Sequence, residues 1–270
     1  MVLAIGSNMR VPARKWINAH KPDIIRIDVD PTSHRKFFTP KCEVTARAEQ
    51  ALPILLERLE RHNLIRTSRE AELLDVKAAW ARRSAVLEPQ LSYLEVIREE
   101  IGEDGIFVDE LTQVGFASRI VYPVYKPRTY ISTGYQGTLG YGFPTALGVK
   151  VAKPDVPVVS VTGDGGFMFA VQELATAVQH KIPLIVLLFN NNRFGNVQQM
   201  QIDDYGGQVI ATDLHNPDFC RMSESFGAQA IHTRSPEEVR FALRRAIATT
   251  DVPTVIEVAV GDMPSVDQFQ

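Results

Sequence analysis

Cysteine is nearly absent from this chain: Cys42 and Cys220 are the only two among 270 residues. Two distant thiols cannot build a disulfide framework, and neither has a His or Cys neighbour at metal-ligand spacing. Free thiols in a reducing compartment are therefore expected, and a thiolate metal site is not. A basic excess is missing as well. Lys and Arg number 29 against 32 Asp and Glu, a formal net charge of −3, which leaves nothing to neutralise a phosphate backbone and argues against nucleic acid as a partner. The pairs Arg82-Arg83 and Arg244-Arg245 fall among acidic residues on predicted helices and read as solvated faces. No apolar run reaches the length of a membrane span, and the opening MVLAIGSNMR is too short and lacks the basic leader of a signal peptide. The expectation is a cytoplasmic protein without membrane contact.

What is present is a chain with 45% hydrophobic residues, enough for one good core and a smaller appendage. Strands are predicted near Val2–Ile5, Ile24–Val29, Ile106–Asp109, Val156–Val161, Pro183–Phe189, Ala228–His232 and Thr254–Val260, because each is a short apolar or β-branched run. Between the later ones lie stretches with helical apolar spacing, such as Leu91, Leu94, Ile97 and Ile101. Alternation of this kind predicts an α/β fold with a doubly wound parallel sheet. Residues 63–88 are polar, charged and helix-forming, and read as a linker.

The densest signal runs from Val158 to Gln199. Gly163-Asp164-Gly165 follows a buried strand, and Asn190-Asn191, 27 residues after Gly163, follows the next. Two successive parallel strands put their C-terminal ends on one sheet edge, where open α/β folds bind ligands. Asp164 offers a carboxylate oxygen and Asn191 an amide oxygen, both suited to Mg²⁺, which often shares its shell with phosphates. Gly163, Gly165 and Gly166 let a backbone approach an anion closely at a helix start. Either motif alone is an ordinary turn; the spacing and placement of the pair are what point to a cofactor site.

These residues resemble the thiamine-diphosphate-dependent enzymes of the acetolactate synthase, benzoylformate decarboxylase and pyruvate decarboxylase superfamily, whose signature is GDG, a gap of under thirty residues, then NN. Gly134–Ala152, GYQGTLGYGFPTALGVKVA, is similar to the family's glycine-rich segment, and Val252–Pro264, VPTVIEVAVGDMP, to its C-terminal ending. The resemblance implies that residues 89–264 form a thiamine-diphosphate and Mg²⁺ binding domain, with 265–270 as a tail. Residues 1–62 resemble the last part of a Rossmann-like middle domain, and Ala46–Arg61 its closing helix. Asp164 and Asn191 are implied as Mg²⁺ ligands through side chains, and Arg193 through its main-chain carbonyl. Leu139 matches the bulky apolar residue that bends the cofactor, and Gly137 the carbonyl that meets the pyrimidine. Thr112 and Gln113 match diphosphate-side contacts, with Gly163, Gly165, Gly166 and Gly195 completing the cofactor set.

In the family a 2-oxo acid is decarboxylated or ligated, and a glutamate from a separate pyrimidine-binding domain, usually on a partner subunit, activates the cofactor. No catalytic residue is assigned within this chain. Ala48-Glu49-Gln50-Ala51 superficially resembles the glutamate motif but lies in an amphipathic helix followed by Pro53, so Glu49 reads as a solvated helical residue. The chain is therefore expected to be truncated, inactive without a separate pyrimidine-binding domain, and to assemble as a homodimer, a tetramer or with a partner pyrimidine-domain chain. Gln198 and Met200 stand where acetolactate synthases usually have arginine and tryptophan, and Val197 where pyruvate decarboxylases have glutamate. The acceptor and the choice between decarboxylase and carboligase stay open. A non-enzymatic cofactor-binding or regulatory module is the alternative, and a degenerate remnant a third. Rossmann dinucleotide binding is disfavoured, because Gly137-Thr138-Leu139-Gly140-Tyr141-Gly142 orders its glycines as G-x-x-G-x-G.

Overall fold

The computed structural model describes residues 1–10, 16–60, 62, 67–134 and 136–269. The chain divides into two compact units, residues 1–75 and 76–269. In the first, β1 (Val2–Ile5), β2 (Ile24–Asp28) and β3 (Cys42–Thr45) pair in parallel in that order, and helix α1 (Ala48–Glu60) follows. Ala4, Ile17 and Ile24 form its small core. Glu49 lies in the first turn of α1, exposed and paired with Arg47, as a solvated helical residue should be. Arg61 and 63–66, the last residue of the expected closing helix and the start of the expected linker, lie outside the described residues.

Helix α2 (Glu70–Ser84) leads into the second unit. There the order is α3 (Gln90–Ile101), β4 (Ile106–Val108), α4 (Gln113–Val121), β5 (Tyr130–Ile131), α5 (Gly142–Ala152), β6 (Val158–Gly163), α6 (Asp164–Met168), α7 (Glu173–Gln179) and β7 (Ile185–Asn190), then α8 (Gly195–Asp204), α9 (Phe219–Ser225), β8 (Gln229–Thr233), α10 (Pro236–Ile247) and β9 (Thr254–Ala259). The six strands are all parallel in the order β5-β4-β6-β7-β9-β8. This is the expected α/β parallel sheet. His180 closes α7.

Alternation along the buried strands builds two cores. Val159 and Val161 of β6 join Ile185, Leu187, Ile256 and Val258 on one face, under α3, α4 and α10. Val158, Val186, Leu188 and Val255 point the other way, toward Phe143, Phe167, Leu174 and Phe219. A sheet covered on both faces favours largely apolar strands, as in β7, while β6 sets buried Ser160 and Thr162 among its valines. The order reverses beside β4: β5 lies on one side of it and β6 on the other. A crevice outside the strand C-termini opens at such a reversal.

Helices α3 and α10 are clasped by Glu100, which accepts from Arg244 Nε and Nη2 at 2.9 Å and from Arg240 Nη1 at 3.0 Å. Hydrogen bonding by Arg244 is the main cause that lowers the Glu100 pKa from its ordinary 4.5, with Arg240 adding to it against some desolvation. A depressed folded-state value means the clasp is fully present above 4.5 and lost as pH falls through the lower, folded value. Glu100→Gln should therefore destabilise the chain by about 1 kcal/mol at neutral pH. Denaturant melts should show the difference disappearing as the pH falls below the usual carboxylate range.

Candidate functional site

Strand β6 delivers Gly163 to the C-terminal edge of the sheet, and Asp164 begins α6 directly after it. Asp164 is 3% exposed. Burial raises its pKa, against the opposing pull of hydrogen bonds from Asn216 and from the backbone N–H groups of Gly165, Asn192 and Arg193. Asn216 Nδ2 donates to Asp164 Oδ2 at 2.7 Å and also lies 3.0 Å from Asn190 Oδ1 and 3.3 Å from Asn192 Oδ1. A carboxylate ringed by N–H donors is held in one orientation.

Strand β7 ends at Asn190, and the chain turns at once. Asn192 takes φ +57°, a left-handed conformation that Asn tolerates, and its N–H returns to Asn190 Oδ1 at 3.1 Å. Backbone bonds from Phe194 N to Thr212 O and from Leu214 N to Asn192 O, both 2.8 Å, tie the turn to the segment at 212–214. The Arg193 side chain is held by Gln198 Oε1 and Asp262, each at 3.1 Å.

A cavity of about 170 Å³ opens between these ends. Thr112, Gln113, Leu139, Gly163, Asp164, Gly165, Gly166, Asn191, Arg193 and Gly195 all line it, so ten of the eleven residues named from sequence converge on one space. Gly137 is not among the lining residues. It has φ +61° and backs onto the Leu111 side chain. Thr112 caps α4, its Oγ1 accepting from Gly115 N at 2.8 Å, which leaves the hydroxyl proton free to donate. Glycine is required where the walls meet. A Cβ on Gly165 would lie 2.3 Å from Phe194 Cε1, and one on Gly166 2.3 Å from Glu110 Oε1.

Glu110 is the functional residue that sequence reasoning passes over. It is fully buried at the end of β4, and its oxygens accept from Gly140 N at 2.5 Å, Thr162 Oγ1 at 2.6 Å and Gly142 N at 3.3 Å. Desolvation raises its pKa, opposed mainly by the bond from Thr162. It thus joins β4, the glycine-rich loop carrying Leu139, and the Gly163-Asp164 turn. An acidic residue closing an apolar strand opposite a glycine cluster is the available signal. Asn216 is missed as well, because nothing local marks it. Gln198 turns its side chain to Arg193, Thr212 and Asp213. Met200 is half exposed.

Among the described residues no three His, Cys, Asp or Glu side chains are grouped so that they could hold a metal ion. The side-chain oxygens at the cavity come instead from one carboxylate, Asp164, the amides of Gln113, Asn191 and Asn196 and the Thr112 hydroxyl, a hard donor set that fits Mg²⁺. Gly163, Gly165, Gly166 and Gly195 line the cavity without side chains, which lets the backbone approach a bulky anion closely.

Residues 111–258 match the family model described as thiamine pyrophosphate enzyme, C-terminal TPP binding domain. The acetolactate synthase large subunit of Haemophilus influenzae is 33% identical over 99% of this chain and 49% of its own length. That of Corynebacterium glutamicum is 32% identical over 97% of this chain and 44% of its own. The chain thus spans about half the length of these relatives. In fold it is similar to a thiamine diphosphate-dependent 4-hydroxybenzoylformate decarboxylase of Rhodococcus jostii RHA1, with a TM-score of 0.70, 22% identity, and coverage of 90% of this chain and 44% of that one.

Proposed function

The chain belongs to the thiamine pyrophosphate (thiamine diphosphate) enzymes through their C-terminal cofactor-binding domain, and from that premise we propose that it is the diphosphate- and Mg²⁺-holding part of a 2-oxo acid decarboxylase or carboligase. The observation that carries this reading is the meeting of Asp164, Asn191 and Arg193 with the Gly163–Gly166 turn at one cavity on the sheet edge. Bound cofactor would supply a carbon nucleophile and an electron sink for decarboxylation.

The chain's own residues do the holding. Asp164 and the Asn191 amide oxygen, with the Arg193 carbonyl, offer Mg²⁺ its protein oxygens. The N–H groups aimed at Asp164 keep that carboxylate oriented, and they oppose the desolvation that would otherwise favour its protonated form. Gly163, Gly165, Gly166 and Gly195 leave room for the diphosphate, with Thr112 and Gln113 on the opposite wall at the start of α4. Leu139 stands at the cavity on a loop fixed by Glu110, where it would pack against the bound cofactor, and Gly137 would offer its carbonyl to the pyrimidine. Activation needs a pyrimidine-binding domain contributed by another part of the assembly. Val197, Met200, Tyr205 and Ile210, exposed on α8 and just after it, support self-association or docking of that domain. Among the described residues no helix is long and apolar enough to cross a membrane, and we assign the chain to the cytoplasm.

The testing experiment is calorimetric titration of thiamine diphosphate into the purified chain, first with Mg²⁺ and then with a chelator. Saturable heat that the chelator abolishes is expected. Binding that ignores the chelator would remove Mg²⁺ from the site, and no binding in either condition would refute a preformed cofactor site.

A further inference from the structure

A carboxylate inside a parallel sheet is costly, and Glu257 is one. It lies in β9 between Leu188 of β7 and His232 of β8, 9% exposed, on the same face as Val255 of the second core. An apolar residue there would need no partners. Glu257 instead has partners for both oxygens. Oε2 accepts from His232 Nδ1 at 3.2 Å and lies 3.6 Å from Cys220 Sγ. Arg234 Nε donates to His232 Nε2 at 3.2 Å, which leaves the imidazole proton on Nδ1, facing Glu257. Oε1 accepts from Asn190 Nδ2 at 2.8 Å.

That last bond decides the direction of an amide. An ionised carboxylate only accepts, so it pairs with the NH₂ end of Asn190 and turns Oδ1 toward the loop. There Oδ1 accepts from Asn192 N at 3.1 Å and Asn216 Nδ2 at 3.0 Å, and Asn216 Nδ2 also reaches Asp164 Oδ2 at 2.7 Å. A flipped Asn190 would set NH₂ against both of those donors. Asn192, on its left-handed φ, carries Asn191 and Arg193 on either side, and both line the cavity.

We propose that Glu257 is a positioning residue for the cofactor site: by fixing the orientation of the Asn190 amide from behind the sheet edge, it sets the 190–193 turn that presents Asn191 and the Arg193 carbonyl. Its consequence for the cofactor rests on the function proposed above; its consequence for the turn does not.

The test uses amide hydrogen exchange on the whole chain without metal or cofactor, followed by titration of thiamine diphosphate with Mg²⁺. In Glu257→Leu the Asn190 amide loses its guide. Exchange at residues 191–194 should accelerate about tenfold or more while the cores of β7 and β9 stay protected, and Mg²⁺-dependent affinity should fall about tenfold or more. Asn190→Asp, which sets two carboxylates against each other, should do the same. Adding Glu257→Gln to Asn190→Asp should restore slow exchange, because the introduced amide can donate its NH₂ to the introduced carboxylate while its oxygen takes the His232 proton. A purely structural glutamate would show no such rescue. Wild-type exchange in Glu257→Leu, or no rescue in the double variant, overturns the proposal. If the wild-type chain fails to bind thiamine diphosphate with Mg²⁺, the cofactor reading falls, while the exchange data still decide the role of Glu257.

Discussion

Asp164→Ala is expected to weaken Mg²⁺-dependent binding of thiamine diphosphate by more than about a hundredfold, the equivalent of roughly 3 kcal/mol, while the chain melts close to the wild-type temperature. Asp164 is the one carboxylate among the described residues lining the cavity, so its removal leaves the metal only neutral oxygens. The fold should tolerate the loss. Burial disfavours the charged form of this side chain, and the cavity lined by Asp164, Gly165 and Arg193 has room for water to take up the donors that alanine leaves, whereas Glu110 does not line it. Asn216 Nδ2 keeps Asn190 Oδ1 as an acceptor in the variant. Asp164→Asn, which retains an oxygen without the charge, should fall between the two. Calorimetry across the three proteins, with melting curves beside it, checks both halves; equal affinity in Asp164→Ala would remove Asp164 from the metal shell.

Why that prediction can be framed from sequence is plain at β6 and β7. Each is a short run buried on both faces, and such runs stand out because a two-sided sheet favours apolar and β-branched residues in them. Their ends are less legible. The strands reach Gly163 and Asn190 because ladder pairing continues after the apolar run stops: Gly163 still pairs with Phe189, and Asn190 with Ala259. Two strands escape a reading of the sequence altogether. Cys42–Thr45 is exposed along its whole length and at the edge of its sheet, so it carries no apolar signature. Tyr130–Ile131 is two residues long and exists by pairing with Phe107 and Val108.

Within the site, legibility follows sequence distance. Gly163-Asp164-Gly165 and Asn190-Asn191 announce themselves because each is compact and follows a strand. Asn216 reaches Asp164 across 52 residues, and Asn190 reaches Glu257 across 67. Nothing near Asn216 or Glu257 in the sequence signals what each will touch. The contacts of Gln198 are unanticipated for the same reason, since its partners Thr212 and Asp213 arrive from a later loop.

Glu110→Ala is the second large effect, and it should appear as lost stability. The substitution withdraws the acceptor from Gly140 N–H, Gly142 N–H and the Thr162 hydroxyl together. A buried donor left unpaired costs about 1–3 kcal/mol, and water entering the vacated volume would recover part of it, so a net loss of about 2–4 kcal/mol is expected at neutral pH. For a unit of this size that is a fall in Tm of roughly 5–12 °C. The pH dependence has a definite sign. Burial raises the folded-state pKa of Glu110, so its contribution is fully present below the ordinary value of 4.5 and shrinks as pH rises through the raised one. The gap between wild type and Glu110→Ala should therefore be wider at acid pH and narrow toward neutrality, the reverse of the Glu100→Gln pair. Glu110→Gln keeps one acceptor and should lose less. Exchange of the amides at 137–142 locates the damage, because the loop that presents Leu139 has lost its anchor. Melting curves for the three proteins across pH, with protection of that loop measured in parallel, decide the matter; an unshifted Tm in Glu110→Ala would mean that water satisfies the glycine loop as well as the carboxylate does.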